Sequence, residues 1–340
     1  MPRNALPQTV LAFFLKGLLA LCFVMSPLSA SAASQGGGHA SARDAARAVF
    51  QILAAEFALQ AGDSLLAAGA YLGLARQTQD AGVAERATQL ALAVRSPTEA
   101  LETAEIWLQA DPNNRSAQQT VDLLQLLLGQ ENRLVASLRT RMTAAQTPQE
   151  RAALDESLGQ LALRGPIPEQ GIRIIDRVYG QTALPSTALY AKAMLLERRG
   201  LISEMEQLLR GLLAQDPNHA HALNALGYSL VDRQTSLEEA YGLIRKAHAL
   251  EPQDPHIMDS LGWAYFRLQK PQQALRWLRE AYRRLPDAEI AAHLGEVLWT
   301  QGQPEDALRI WAEAQQRSPQ NRVLLETLQR VGHGANAQKP

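Results

Sequence analysis

From about residue 48 to residue 321 the apolar positions of this chain recur at three- and four-residue spacing, the mark of helices with one buried face. Almost nothing alternates with period two, so strands are not expected. Gly, Pro, Asp or Asn interrupt the pattern about every fifteen residues. "ALLERRG", "LAQDPNH", "ALEPQDP" and "RRLPDAE" each read as a helix end followed by a turn. One stretch defies simple propensity. "DSLGWAYFRLQKPQQAL", residues 259–275, sets Gly262 inside a helical pattern, at roughly 1 kcal/mol relative to Ala. It crowds Trp263, Tyr265 and Phe266 beside that glycine, then stops and restarts at Pro271.

Self-comparison accounts for the glycine. The pair Leu261-Gly262 recurs as Leu226-Gly227 and Leu294-Gly295, while Ala240, Ala274 and Ala307 keep step with Ala247, Ala281 and Ala314. Each unit closes on a proline, at Pro217, Pro252, Pro286 and Pro319, and the marks lie 33 to 35 residues apart. In this register the chain resembles the tetratricopeptide repeat. The resemblance implies an all-α, right-handed superhelical solenoid of helix pairs. Close packing of antiparallel helices explains the residue choice: Gly and Ala lie where helices cross, and large side chains fill the gaps between crossings.

The period continues more loosely upstream, marked by Gly62, Ala67 and Tyr71, then Ala100 and Pro112, Gly129, Gly165, and Gly200 with Pro217. About eight helix pairs are expected over 48–321, the pair at 149–185 being distorted by "RGPIPEQG". Leu324, Leu325, Leu328 and Val331 share one face, predicting a capping helix over 322–332. The expected organisation is a leader over 1–32, a flexible segment over 33–47 and divergent repeats over 48–185. Clearer repeats follow over 186–321, then the cap, with a disordered tail over 333–340.

Composition narrows the setting. A formal charge of −1 offers no basic face for nucleic acid. Arg3 and Lys16, the apolar run "GLLALCFVMSPL" and "ASA" at 30–32 read as an export signal expected to be cleaved near Ala32, the competing reading being an uncleaved membrane anchor, and the mature chain is expected in the periplasm. Cleavage removes two positive charges, taking the net charge to −3. Cys22, the single cysteine, lies inside the leader, so the mature chain has no thiol chemistry. Leu21 before it is too large for a bacterial lipidation site, so membrane association is expected only through a partner, or through lipid on Cys22 if that site is used after all.

No P-loop, nucleophile elbow or dinucleotide fingerprint occurs, and no cofactor is implied. None of the seven histidines forms a metal-binding set: His219 and His221 are two apart and diverge, and His293 with Glu296 is a common spacing. A non-catalytic chain is expected. The candidate site is the inner face formed by the first helix of each pair. Its binding residues are expected to be Tyr190, Asn224, Tyr228, Asp259, Trp263, Phe266, Arg267, Glu296 and Trp299, aromatics interleaved with hydrogen-bonding groups. Thr187, Met194, Glu197, His221, Asp232, His256 and Glu289 line the same face in this register. The competing expectation is that Trp263, Phe266 and Trp299 only fill contacts between neighbouring first helices.

"LGYSLVDR", "DSLGWAYFRL" and "AAHLGEVLW", with "AEFALQAGDSLLAAGAYLGLARQTQDAGVAERATQLAL" near the start, resemble a branch of periplasmic tetratricopeptide proteins of proteobacteria. That branch includes the lipoprotein adaptor of a carboxyl-terminal processing protease. The resemblance implies a scaffold that binds a protease and its protein substrates through the groove. The alternative is a bridging component of an envelope-assembly or polysaccharide-secretion complex.

Overall fold

The computed structural model describes residues 40–337. The leader, Cys22, residues 33–39 of the expected flexible segment and the last three residues lie outside the described residues. Within them are seventeen helices and no strand. The chain divides into two compact units between Gly180 and Gln181.

The first unit holds α1 (Ala40–Gln60), α2 (Ser64–Thr78), α3 (Ala81–Ala93), α4 (Pro97–Ala110), α5 (Arg115–Leu127), α6 (Glu131–Ala144), α7 (Pro148–Arg164) and α8 (Pro168–Tyr179). The second holds α9 (Ser186–Arg198), α10 (Ile202–Gln215), α11 (Ala220–Asp232), α12 (Leu237–Leu250), α13 (Pro255–Arg267), α14 (Pro271–Arg284), α15 (Ala288–Thr300) and α16 (Pro304–Arg317), closed by α17 (Arg322–Ala337). These make eight antiparallel pairs and a terminal helix, the all-α repeat class expected. Two boundaries differ. α1 starts at Ala40, so 40–47 are helical, in keeping with the strong helix propensity of "ASARDAAR". α17 runs on to Ala337, past the expected end at 332.

The turn inside each pair explains much of the 34-residue rhythm. Gly62, Arg95, Gly129, Gly200, Gln234, Gln269 and Gly302 all have positive φ, between 53° and 84°, at the same place after a first helix. At Gln269 the following Lys270 N–H donates to Tyr265 O and Gln269 N–H to Phe266 O, the double bond of a Schellman cap. Pro271 then supplies the first turn of α14, where its missing N–H is harmless. Pair α7–α8 is the exception: Gly165 sits at φ −60° between the helices, followed by Pro166, and Pro168 opens α8.

The crossing glycines are tight. A Cβ on Gly227 would lie 2.6 Å from Ile244 Cγ1, on Gly262 2.6 Å from Leu278 Cγ, and on Gly295 2.1 Å from Trp311 Nε1. α11, α13 and α15 therefore each touch their second helix almost backbone to side chain. α13 and α15 are also flanked by neighbouring first helices, which is why "AAHLGEVL" is buried on every side. α17 covers α15 with Leu324 and Thr327 buried.

Candidate functional site

The inner face of the second unit is built from α9, α11, α13 and α15. Its curvature shows in one side chain. Tyr228 on α11 donates its hydroxyl to Glu289 Oε1 at 2.9 Å and lies 3.3 Å from His293 Nε2, both on α15. α13 stands between those helices. On a flat array α11 and α15 would be about 16–20 Å apart, at 8–10 Å per neighbour, beyond the reach of a tyrosine. The face is concave.

A buried polar chain forms its floor. His293, 2% exposed, donates from Nδ1 to Asp259 Oδ2 at 2.9 Å. Burial pulls the His293 pKa down, but the adjacent Asp259 carboxylate, its hydrogen bond and the charges of Glu289 and Glu296 outweigh burial and raise it. When the ring is protonated both its nitrogens donate, and Asp259 carboxylate, imidazole ring, Tyr228 hydroxyl and Glu289 carboxylate follow one another in sequence. Burial, with the charges of Glu289, Asp259 and Asp232, pushes the Tyr228 hydroxyl well above its ordinary pKa. That is the reverse of an activated nucleophile.

Trp263 is stacked against this chain. Its ring lies 4.3 Å from His293 at 20°, with the Arg267 guanidinium 4.4 Å from its centroid and Phe266 5.3 Å away. It is only 1% exposed, so the indole expected at the groove surface is a contact between α13 and α15, while Phe266 and Arg267 above it are half-buried. Asp259 is likewise buried and committed to His293. Glu296 is covered by Arg330 of α17, to which it is ion-paired. Trp299, half-buried, lies 6.0 Å from Trp311 of its paired helix.

Tyr190 holds the other end of the face, against His219 and His221 at 5.3 and 6.1 Å. Burial, then the charges of Glu197, Asp254 and Glu251, pushes its hydroxyl up to about 12. The structure thus gathers Tyr228, Asp259, Trp263, Phe266 and Arg267 around His293, with Glu296 near enough for its charge to act on the ring, and sets Tyr190 and Trp299 apart from them. Thr187 Oγ1, Asn224 Oδ1, Trp263 Nε1 and Arg267 Nε are buried atoms with no hydrogen-bond partner among the described residues. Glu197 and Asp232 are exposed, yet burial and the Glu289 charge raise the Glu197 pKa, as befits a carboxylate inside a concavity.

His293 is the residue that repeat reasoning missed. Counting from the Leu-Gly pair, Asn224 and Asp259 share one register, and Tyr228, Trp263 and Glu296 another. His293 belongs to neither; its equivalents are Ala225 and Ser260. The signal was only its unusual chemistry at a small-residue position. The two histidines take different partners: His221 converges with Glu251 and Asp254, ligand atoms within 4.8 Å, while His219 Nδ1 caps α11 by accepting from Ala222 N–H. Asp254 Oδ1 is committed to capping α13, and exposed His–carboxylate groupings of this kind occur on many surfaces without an ion.

Residues 181–318 match a tetratricopeptide repeat family model. That match covers all four helix pairs of the second unit. Over 108 residues, 32% of this chain, the sequence is 50% identical to the TPR repeat-containing protein PA4667 of Pseudomonas aeruginosa. The matched stretch spans 18% of that relative's length. Among solved structures, a thermophilic TPR protein of Thermus thermophilus is similar over 53% of this chain and 97% of its own, at 21% identity and TM-score 0.43. A tetratricopeptide repeat protein of Parabacteroides merdae is similar over 83% of this chain and 97% of its own, at 16% identity and TM-score 0.46.

Proposed function

We propose that the chain is a periplasmic protein-interaction scaffold whose second unit captures a segment of a partner protein on its concave face. The carrying observation is the reach of Tyr228 across α13 to α15, which makes a trough rather than a flat wall. Thr187, Asn224 and Arg267 are half-buried on this face, and their accessible polar groups can hydrogen-bond an extended backbone. Phe266 supplies apolar area at the rim, and Glu197, Asp232 and Glu289 form no ion pair among the described residues, which favours a segment carrying Lys or Arg.

The sharper form is an adaptor that holds a processing protease beside its protein substrates, resting on the likeness of "LGYSLVDR" and "DSLGWAYFRL" to that branch. The bridging role in an envelope-assembly or secretion complex is the rival reading. In-cell crosslinking of the exported protein, with partners identified by mass spectrometry, separates them. A Glu197→Arg, Asp232→Arg variant and an Asn224→Ala, Phe266→Ala variant serve as controls, each checked for unchanged helix content. Loss of a protease and its substrates from both variants supports the adaptor. Loss of secretion proteins supports the bridge. Partners retained by both variants would move binding off the concave face.

A further inference from the structure

The first helix carries two apolar faces. Inward, Ala55 and Ala58 are buried, with Ile52 and Leu59 packed beside them against α2 and α3. Outward, Ala46, Val49, Phe50, Leu53, Ala54 and Phe57 are all exposed, at spacings of three, one, three, one and three residues. Val49, Phe50, Leu53 and Phe57 are 56%, 71%, 54% and 67% exposed, and Leu65 and Leu66 in the first turn of α2 are 73% and 62% exposed. A helix apolar all round belongs in an interior, and a solenoid end normally presents a polar outer face. The α17 end does so with Arg322, Glu326, Gln329 and Arg330.

We infer that the outer face of α1 is a homodimer interface, covered by α1 of a second copy running antiparallel across a two-fold axis. The central stretch of the stripe, Phe50 to Phe57, is self-complementary about a point between Leu53 and Ala54. That axis sets Phe50 opposite Phe57 of the second copy and Leu53 opposite its Ala54, so that at the centre a large side chain meets a small one. The six large side chains expose on the order of 600 Å². That is the upper edge of what a monomer leaves in one patch, about 300–600 Å², and approaches the roughly 800 Å² per partner of a stable interface. With the leader removed near Ala32, the preceding residues are "ASQGGGH", which contain no large apolar side chain to fold back over the stripe.

The test is sedimentation velocity of the exported protein between about 0.5 and 50 µM, its N-terminus established by mass spectrometry. A dimer is expected, and Phe50→Glu with Phe57→Glu should weaken it by at least about a hundredfold while leaving helix content unchanged. Under mild oxidation Leu53→Cys should cross-link two copies, whereas Leu308→Cys, at an equally exposed leucine on α16, should not. A monomer throughout that range overturns the proposal, including one in which a retained leader supplies the cover. So does a dimer indifferent to the glutamates, or one that Leu53→Cys fails to link.

Discussion

Gly295→Ala tests the packing logic of the repeats. In an open helix the exchange should stabilise by about 1 kcal/mol, because Ala is the better helix former. At Gly295 the new methyl would sit 2.1 Å from Trp311 Nε1, 2.4 Å from Cε2 and 2.8 Å from Cδ1. The indole is rigid, buried, and hydrogen-bonded through Nε1 to Ala292 O, so it has little room to yield. Overpacking of this kind costs about 1–3 kcal/mol, and a contact this short belongs at or above the upper end. Subtracting the helix gain leaves a net loss of about 2 kcal/mol, or a melting shift of about 4–8 °C for a cooperative unit of this size. Gly242→Ala is the matched control: it lies mid-helix in α12 with open space where the new methyl would go. It should raise stability by up to about 1 kcal/mol. Thermal and urea unfolding, followed by far-ultraviolet circular dichroism, reads both. If Gly295→Ala melts at or above wild type while Gly242→Ala behaves as expected, the close-approach explanation of the Leu-Gly repeats is wrong.

Other outcomes follow from named contacts. Asp259→Ala removes the hydrogen-bond acceptor of buried His293 Nδ1 and should lower stability by about 1–3 kcal/mol, measured by urea unfolding at neutral pH. Because the folded pKa of His293 is raised, its stabilisation is complete below its unfolded pKa of about 6.5 and declines as pH rises through the folded value. The urea midpoint should therefore fall above pH 6.5, and the part of that slope due to His293 should vanish in His293→Gln. In the first unit Arg141 pairs at 2.6 Å with Asp122, whose carboxyl burial raises above its usual range. Arg141→Met alone should cost about 3 kcal/mol, and adding Asp122→Leu should recover most of it. Gln269→Gly should stabilise by about 1 kcal/mol, since φ is 60° there and the same turn uses Gly200 and Gly302 elsewhere.

The helices, their pairing and the reason for each crossing glycine were legible in the residues because they rest on local rules. Burial at i, i+3 and i+4, a proline at the first helical position and a left-handed residue at the turn each involve a few neighbours in sequence. Even the irregular α7–α8 pair showed itself through Pro166 and Pro168. The candidate site was legible only as a face. Tyr228 and Phe266 fall where the register put them, but Trp263 is buried, Glu296 is taken by Arg330, and His293 emerges at the centre.

Those differences share one cause. Whether a first-helix position faces the trough or the adjoining first helix depends on how far each pair rotates against the next. That rotation is set by side-chain volumes summed over whole interfaces, here Gly262 on Leu278 and Gly295 on Trp311, not by any residue's own type. The sequence by itself determined which residues are helical and which face of each helix is apolar, because a helix repeats within a single turn. Only the tertiary structure decided that Asp259, His293 and Tyr228 join into one chain, since they come from three different repeats and meet only when the array bends.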